Sequence, residues 1–140
     1  MNYWLYNDKP LNSSQIENYI GFVYIITNLL NNKKYIGKKL LKFKKTKKLK
    51  GKKKKLLVES DWQTYYGSSD SLKNDVKTHG ENSFKREVIR LCKNKSELTY
   101  FELKEQIDRR VLESDEYYNS WIFVRVRKEH LKMVDFSIEM

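Results

Sequence analysis

The sequence predicts an α+β domain: a small three-stranded, mostly antiparallel sheet flanked by helices, with a lysine-rich hairpin or loop inserted into it. Three observations predict it. Two runs rich in β-branched and aromatic residues, 22–27 and 34–40, flank a polar turn at Asn31-Asn32. A third such run, 84–92, lies between two stretches with helical spacing of apolar residues. Residues 44–55 are almost all lysine, broken by Thr46, Leu49 and Gly51.

Each element has its own local reason. Residues 1–20 carry Tyr3, Trp4, Leu5 and Tyr6, followed by Asn7-Asp8-Lys9-Pro10. They form an N-terminal extension whose aromatics either pack or stack on a base. Residues 22–27, Phe-Val-Tyr-Ile-Ile-Thr, read as a strand buried on both faces. If Thr27 pairs with Lys34, then Ile26 faces Tyr35 and Tyr24 faces Gly37. Tyr24 and Tyr35 then share one face as diagonal neighbours, about 7–8 Å apart at the backbone. Gly37 leaves open space beside Tyr24 for a phosphate or a backbone.

The lysine run is flanked by Leu40, Leu41 and Phe43 on one side and by Leu56, Leu57 and Val58 on the other. Two short strands with a basic tip, bending near Gly51, fit that pattern; a disordered lysine loop is the alternative. Ser68-Ser69-Asp70 starts a helix with Leu72 and Val76 one turn apart and Gly80 as its stop. Ser96 caps a longer helix that ends near Ser114-Asp115, with Leu98, Tyr100, Phe101, Leu103, Ile107, Val111 and Leu112 on its broad apolar side. The run 121–126 is apolar and β-rich, 127–140 form a short amphipathic stretch, and 123–140 together make the C-terminal tail. The expected organisation is an extension (1–20), one domain (21–122) with a basic insertion near 41–59, and the tail.

At 140 residues the chain has room for one modest core and none for a large separate targeting domain. One cysteine, Cys92, excludes an intramolecular disulfide and a cysteine-rich zinc cluster. With no apolar run of membrane-spanning length and no secretory pattern, a soluble intracellular protein is expected. The formal charge is +11 and the pI near 9.6, which favours a polyanionic partner, nucleic acid above all.

The tripeptides Val23-Tyr24-Ile25 and Tyr35-Ile36-Gly37, their tyrosines eleven residues apart, resemble the GIY-YIG nuclease superfamily. Asn28 to Gly37, then Ser68-Ser-Asp-Ser-Leu, Lys77-Thr-His-Gly80 and Phe84, are similar to the turn, middle helix and third strand of phage homing endonucleases. Glu102 and Asn119 stand where the family places its metal carboxylate and its late asparagine. The resemblance covers about residues 21–122. Two departures stand out. Phe22-Val23 replace the usual Gly-Ile, with Gly21 one place outward. The family's arginine-bearing helix after the second motif is missing, because residues 38–59 contain no arginine.

The resemblance implies phosphodiester hydrolysis in double-stranded DNA, assisted by Mg2+ or Mn2+. Tyr24 would be the general base or its relay, with Lys38 and Lys39 lowering its pKa. Tyr35 would bind phosphate or orient water, and Gly37 would give room. Glu102 would hold the metal, with a capping box from Thr99 and the neighbouring Glu105 as rival readings. Asn119 would brace the site or be an ordinary turn residue. Lys39 is the first candidate for the missing arginine's role, because strand alternation puts it on the face of Tyr35 and Gly37, while Lys38 points the other way; Arg86 is a distant candidate. His79 would either donate a hydrogen bond to a residue of the site or serve only the end of its helix. DNA contacts are expected from Lys38, Lys44, Lys45, Lys47, Lys48, Lys50, Lys52, Lys53, Lys54, Lys55 and Trp62, and from a basic tail with Arg125, Arg127 and Lys128. A homing-type or phage endonuclease, a restriction or repair nuclease, and a catalytically impaired DNA-binding protein are the competing functions. Oligomeric state and target sequence are not legible.

Overall fold

The computed structural model describes residues 2–122, leaving aside the side chains of residues 47–49 and 54. The expected β-rich stretch beyond 122, the amphipathic tail and its basic residues lie outside the described residues.

The chain runs β1 (Trp4–Tyr6), β2 (Lys9–Pro10), β3 (Gly21–Asn28), β4 (Lys34–Leu40), β5 (Lys42–Leu49), β6 (Lys52–Glu59), α1 (Asp70–His79), β7 (Phe84–Cys92) and α2 (Lys95–Asp108). The main sheet has five strands rather than three, in the order β2-β1-β7-β3-β4. The two extra strands come from the N-terminal segment. Trp4 pairs with Arg86 in parallel, and Leu5 turns back to face Pro10 through Asn7 and Asp8, both in the left-handed region. Asparagine and aspartate tolerate that region, and this made the strands hard to read: both are too short to show a period.

The central hairpin has the expected register. Thr27 pairs with Lys34, Ile26 with Tyr35 and Tyr24 with Gly37. β3 is buried on both faces, as its composition predicts. Phe22, Tyr24 and Ile26 join Trp4, Leu11, Ile16, Trp62, Leu72 and Phe84 in an aromatic core on one side. Val23, Ile25 and Ile36 join Cys92, Leu98 and Val111 in an aliphatic core under α2 on the other. β7 pairs antiparallel with β3 across a bulge at Val23/Tyr24.

Helix ends follow capping chemistry. The Ser69 Oγ accepts from the Leu72 N–H at 3.3 Å, and Gly80, at φ 86°, closes α1 onto the Val76 carbonyl. α2 starts earlier than expected, because the cap is Asn94, whose Oδ1 accepts from the Glu97 N–H at 2.8 Å, and not Ser96. It also ends earlier, at Asp108. Arg110 takes a positive φ of 53°, and the chain doubles back so that Val111 is buried while Ile107 and Leu112 are exposed. No described helix is long and apolar enough to cross a membrane.

The lysine run forms a hairpin of its own. β5 and β6 make a separate two-stranded sheet, turning at Lys50-Gly51 with φ of 51° and 75°. Two consecutive positive φ values belong to the turn that matches the natural twist of a hairpin.

Candidate active site along the edge of the sheet

β4 is the edge of the main sheet, so every second residue turns its backbone N–H and C=O outward. Three different groups meet those outward positions. The Lys34 N–H donates to the Glu116 carbonyl at 2.9 Å, and the Lys34 carbonyl accepts from the Tyr118 N–H at 2.7 Å. At Ile36 the Asn119 side chain takes over. Its Oδ1 accepts from the Ile36 N–H at 3.0 Å and its Nδ2 donates to the Ile36 carbonyl at 2.8 Å, with the Gln106 Nε2 on the same carbonyl at 3.2 Å. At Lys38 the neighbour is the Glu102 carboxylate from α2, which the Lys38 backbone amide and side chain both stabilise in its charged form.

Where that edge opens, a cavity of about 540 Å³ is lined by Tyr35, Lys38, Glu102 and Asn119, together with the start of α1 from Ser68 to Ser71. Because the cavity wraps an edge, it collects side chains from both faces of the sheet. Tyr35 reaches it from the aromatic side, with its hydroxyl 2.8 Å from the Ser68 Oγ. Lys38 and Glu102 reach it from the helix side, 4.0 Å apart, and the Lys38 Nζ also donates to the Thr99 Oγ1 at 3.1 Å. Glu102 is largely buried, and that desolvation raises its pKa while Lys38 pulls it down. Glu102 sits inside α2, well past the cap at Asn94, so the capping-box reading fails. Glu105 pairs with Arg109 at 2.8 Å and does not line the cavity.

The two phenols differ from the sequence expectation. Tyr24 is sealed from solvent, and its hydroxyl is buried without a hydrogen-bond partner. Burial raises its pKa well above the usual tyrosine value, and the neighbouring phenols of Tyr65 and Tyr35 raise it further. The expected lowering by lysines is therefore reversed. Tyr65 stands edge-on to it at 6.0 Å between ring centroids, but no bond of normal geometry forms. Tyr35 lies 6.1 Å from Tyr24 between centroids and is the member of the pair that lines the cavity. Its pKa is also raised by burial, against which its bond to Ser68 works.

Gly37 is a second correction. The space beside Tyr24 is filled by the tyrosine itself: a Cβ on Gly37 would strike the Tyr24 hydroxyl, lie 2.7 Å from its Cζ and 2.9 Å from a ring carbon of Tyr35. Gly37 makes room for phenols and not for substrate. Gly67, at φ 87°, brings its backbone over the same pair, as a Cβ there would sit 3.5 Å from the Tyr24 hydroxyl.

The adjacent lysines exchange parts. Alternation does put Lys39 on the Tyr35 face, but its Nζ is 2.6 Å from Asp61 and 4.2 Å from the centre of the Tyr65 ring, away from the cavity. Among the described residues lining the cavity, Lys38 supplies the positive charge. Arg86 does not reach it. Its buried guanidinium lies between Trp4 and Tyr66 and donates to the carbonyls of Asn2, Gln63 and Tyr65, tying the N-terminal segment to the loop that covers Tyr24. Trp62 is no DNA contact: it is buried against Phe22, accepts the Trp4 indole N–H on its carbonyl at 2.6 Å, and donates its own to Glu59 at 2.7 Å. His79 is an exposed helix-end residue.

Sequence reasoning missed Ser68, Gln106 and Tyr118 as cavity residues. Ser68 was legible only as part of a helix start, and Gln106 as one polar residue on a mostly apolar helix face. The Tyr118 hydroxyl donates to Asp75 at 2.6 Å and accepts from Asn28 at 3.0 Å; burial, then that bond to Asp75, pushes its pKa up to about 12.

This arrangement has relatives. The family model described as "Putative endonuclease segE, GIY-YIG domain" matches residues 4–122. The chain belongs to that GIY-YIG family. The match begins at β1, so the family unit takes in the N-terminal strands. The chain is also similar to the "Putative endonuclease segE" of Enterobacteria phage T4, with 34% identity over 98 residues. That stretch is 70% of this chain and 39% of the phage protein, so the chain spans well under half of its relative. No solved structure matches it. Among the described residues, no three carboxylate, histidine or cysteine side chains gather as a metal cluster, so any cation held here would rest on few protein ligands.

Proposed function

We propose that the chain is a divalent-metal-dependent endonuclease that hydrolyses phosphodiester bonds of double-stranded DNA, with the scissile phosphate lying along the edge of β4. The observation that carries this reading is the meeting of Tyr35, Lys38, Glu102 and Asn119 around one cavity in a GIY-YIG chain. The phosphate is drawn to Lys38, whose charge offsets that of the oxygens as they become more negative. Tyr35 orients the attacking water. With its pKa raised, Tyr35 is not a resting phenolate; it acts as a relay. It takes the water's proton as it passes its own to the Ser68 hydroxyl, which in turn releases its proton to solvent water. Tyr24 packs behind Tyr35 and acts through it. Asn119 and Gln106 hold the strand that carries Tyr35 and Lys38.

Magnesium or manganese fits Glu102. The carboxylate is largely buried, its cation neighbour is 4.0 Å away, and the lining adds a second carboxylate, Asp70, beside hydroxyl and amide groups and the Trp121 ring. A hard cation that keeps most of its water needs no more from the protein. When bound, such an ion would neutralise phosphate charge and favour ionisation of water.

The likeness to a phage protein favours a phage or homing-type enzyme working in the host cytoplasm over a restriction or repair role. One observation favours a second reading, a DNA-binding protein with impaired catalysis: the first-motif tyrosine is sealed, and no arginine lines the cavity among the described residues. Incubation of supercoiled plasmid with Mg2+ decides between them. Nicking by the wild type that falls at least 100-fold in Glu102→Gln supports the enzyme. Binding without nicking, or nicking indifferent to Glu102, overturns it.

A further inference from the structure

The β5–β6 ribbon is held at its base and stands apart elsewhere. Lys42 Nζ donates to the Glu17 carbonyl, the Ser60 N–H to the Leu41 carbonyl at 2.8 Å, and the Ser60 Oγ to the Leu40 carbonyl at 2.6 Å. Beyond the base, the two strands pair with each other in a sheet of their own. The register sorts its residues into two faces. Lys44 (opposite Leu57), Lys53 and Lys55 (opposite Thr46) share one; Lys45 (opposite Leu56) and Lys52 share the other. The register pairs position 47 with 54 and 48 with 53, so that lysine stands opposite lysine in the sequence, a pairing that destabilises a ribbon. No acidic residue occurs from Lys42 to Val58 to relieve it.

A ribbon lying flat on a phosphate surface would use one face and leave the other repelling in water. A groove walled by phosphates on both sides would use both. The major groove of B-form DNA, about 12 Å wide, admits a two-stranded β-ribbon, whereas the minor groove, about 6 Å wide, does not. Eight residues per strand extend about 26 Å, long enough to span several base pairs of the groove. Phe43 and Leu57, both exposed, give it apolar surface suited to the methyl groups of thymine. The ribbon also begins at Lys42, three residues after Lys39, so its base is fixed relative to the cavity edge.

We propose that this ribbon inserts into the major groove of B-form duplex DNA and seats the duplex beside the cavity. The inference rests on DNA being the substrate, but not on cleavage. It distinguishes duplex DNA from duplex RNA, whose deep and narrow major groove excludes such a ribbon.

The test uses the full chain and three probes of one mixed sequence: a 30-base-pair DNA duplex, the RNA duplex and the single DNA strand, each titrated from 50 to 300 mM KCl without divalent metal. Two double variants divide the faces: Lys44→Gln with Lys55→Gln, and Lys45→Gln with Lys52→Gln. All four side chains are exposed, so thermal melting should match the wild type. The expected result is at least tenfold preference for duplex DNA, protection of guanine N7 from methylation, and weaker binding in both variants, each losing about two from the salt slope. An effect confined to one face, equal binding of duplex RNA, or protection only in the minor groove would overturn it. If these results hold and plasmid nicking is absent, catalysis fails and the ribbon stands. If nicking is present but neither variant changes affinity, the ribbon inference fails and the nuclease stands.

Discussion

Two antiparallel hairpins follow one another along this chain. β3–β4 has seven residue pairs and β5–β6 has eight. Both are built from alternating side chains on paired strands, yet β3 is buried along its length while the described side chains of β5–β6 are mostly exposed. In β3–β4 the two faces are occupied by separate cores, and each side chain is located by its neighbours. In β5–β6 each face carries lysines, and Lys44, Lys45, Lys52, Lys53 and Lys55 are exposed. The difference teaches a division of labour. A buried hairpin can hold atoms to fractions of an ångström, which chemistry needs. An exposed ribbon can only hold charge in a line, which is all that phosphate recognition needs.

Substitutions of matching kind in the two hairpins can break this comparison. The largest stability effect is expected from Gly37→Ala, where the new methyl group strikes Tyr24 and Tyr35. Overpacking of that kind costs about 3 kcal/mol; denaturant unfolding will measure it, and a loss below about 1 kcal/mol would show that the phenols move freely. Asn119→Ala comes next. It leaves the N–H of Ile36 without its partner and removes the stronger of two donors to its carbonyl, at a cost of about 2 kcal/mol by the same measurement. In the ribbon, Gly51→Ala meets no atom within 4 Å and suffers only from its positive φ. The local cost is about 1 kcal/mol. Amide exchange should report it in 42–59 alone, with the global unfolding midpoint unchanged; a drop in that midpoint would mean the ribbon folds with the core.

The smallest effect concerns pH. Burial raises the Glu102 pKa, so the folded protein holds that proton more firmly than the unfolded chain. The resulting contribution to stability is complete below the ordinary glutamate pKa, about 4.3, and is lost as pH rises through the folded value. Glu102→Gln should therefore melt slightly higher than the wild type at pH 7, with the gap closing towards pH 4. A residue that lowers stability while abolishing activity when replaced is one kept for function; an equal melting temperature at both pH values would remove that argument.

The legible and illegible parts of the site divide by range. Tyr24, Tyr35 and Gly37 were placed correctly relative to one another, because a short hairpin turn forces one register and the alternation follows from it. The accessibility of Tyr24 was not legible. It is covered by Tyr65 and Gly67, some forty residues along the chain, and by an arginine clamp from β7 that no local pattern announces. The choice between Lys38 and Lys39 failed for a related reason. Alternation gave the right faces, but the cavity forms at an edge, where a residue on either face can reach it.

By itself the sequence determined the central hairpin, the helix starts and stops near 70 and 80, the cationic ribbon and the family likeness, all through interactions between residues close along the chain. Only the tertiary structure decided that two short strands before residue 11 complete the sheet, that Trp62 belongs to the core, that Tyr24 lies behind Tyr35, and that Lys38 meets Glu102. Those outcomes depend on which distant segments exclude water from one another, and burial of that kind is a property of the packed whole and not of any window of sequence.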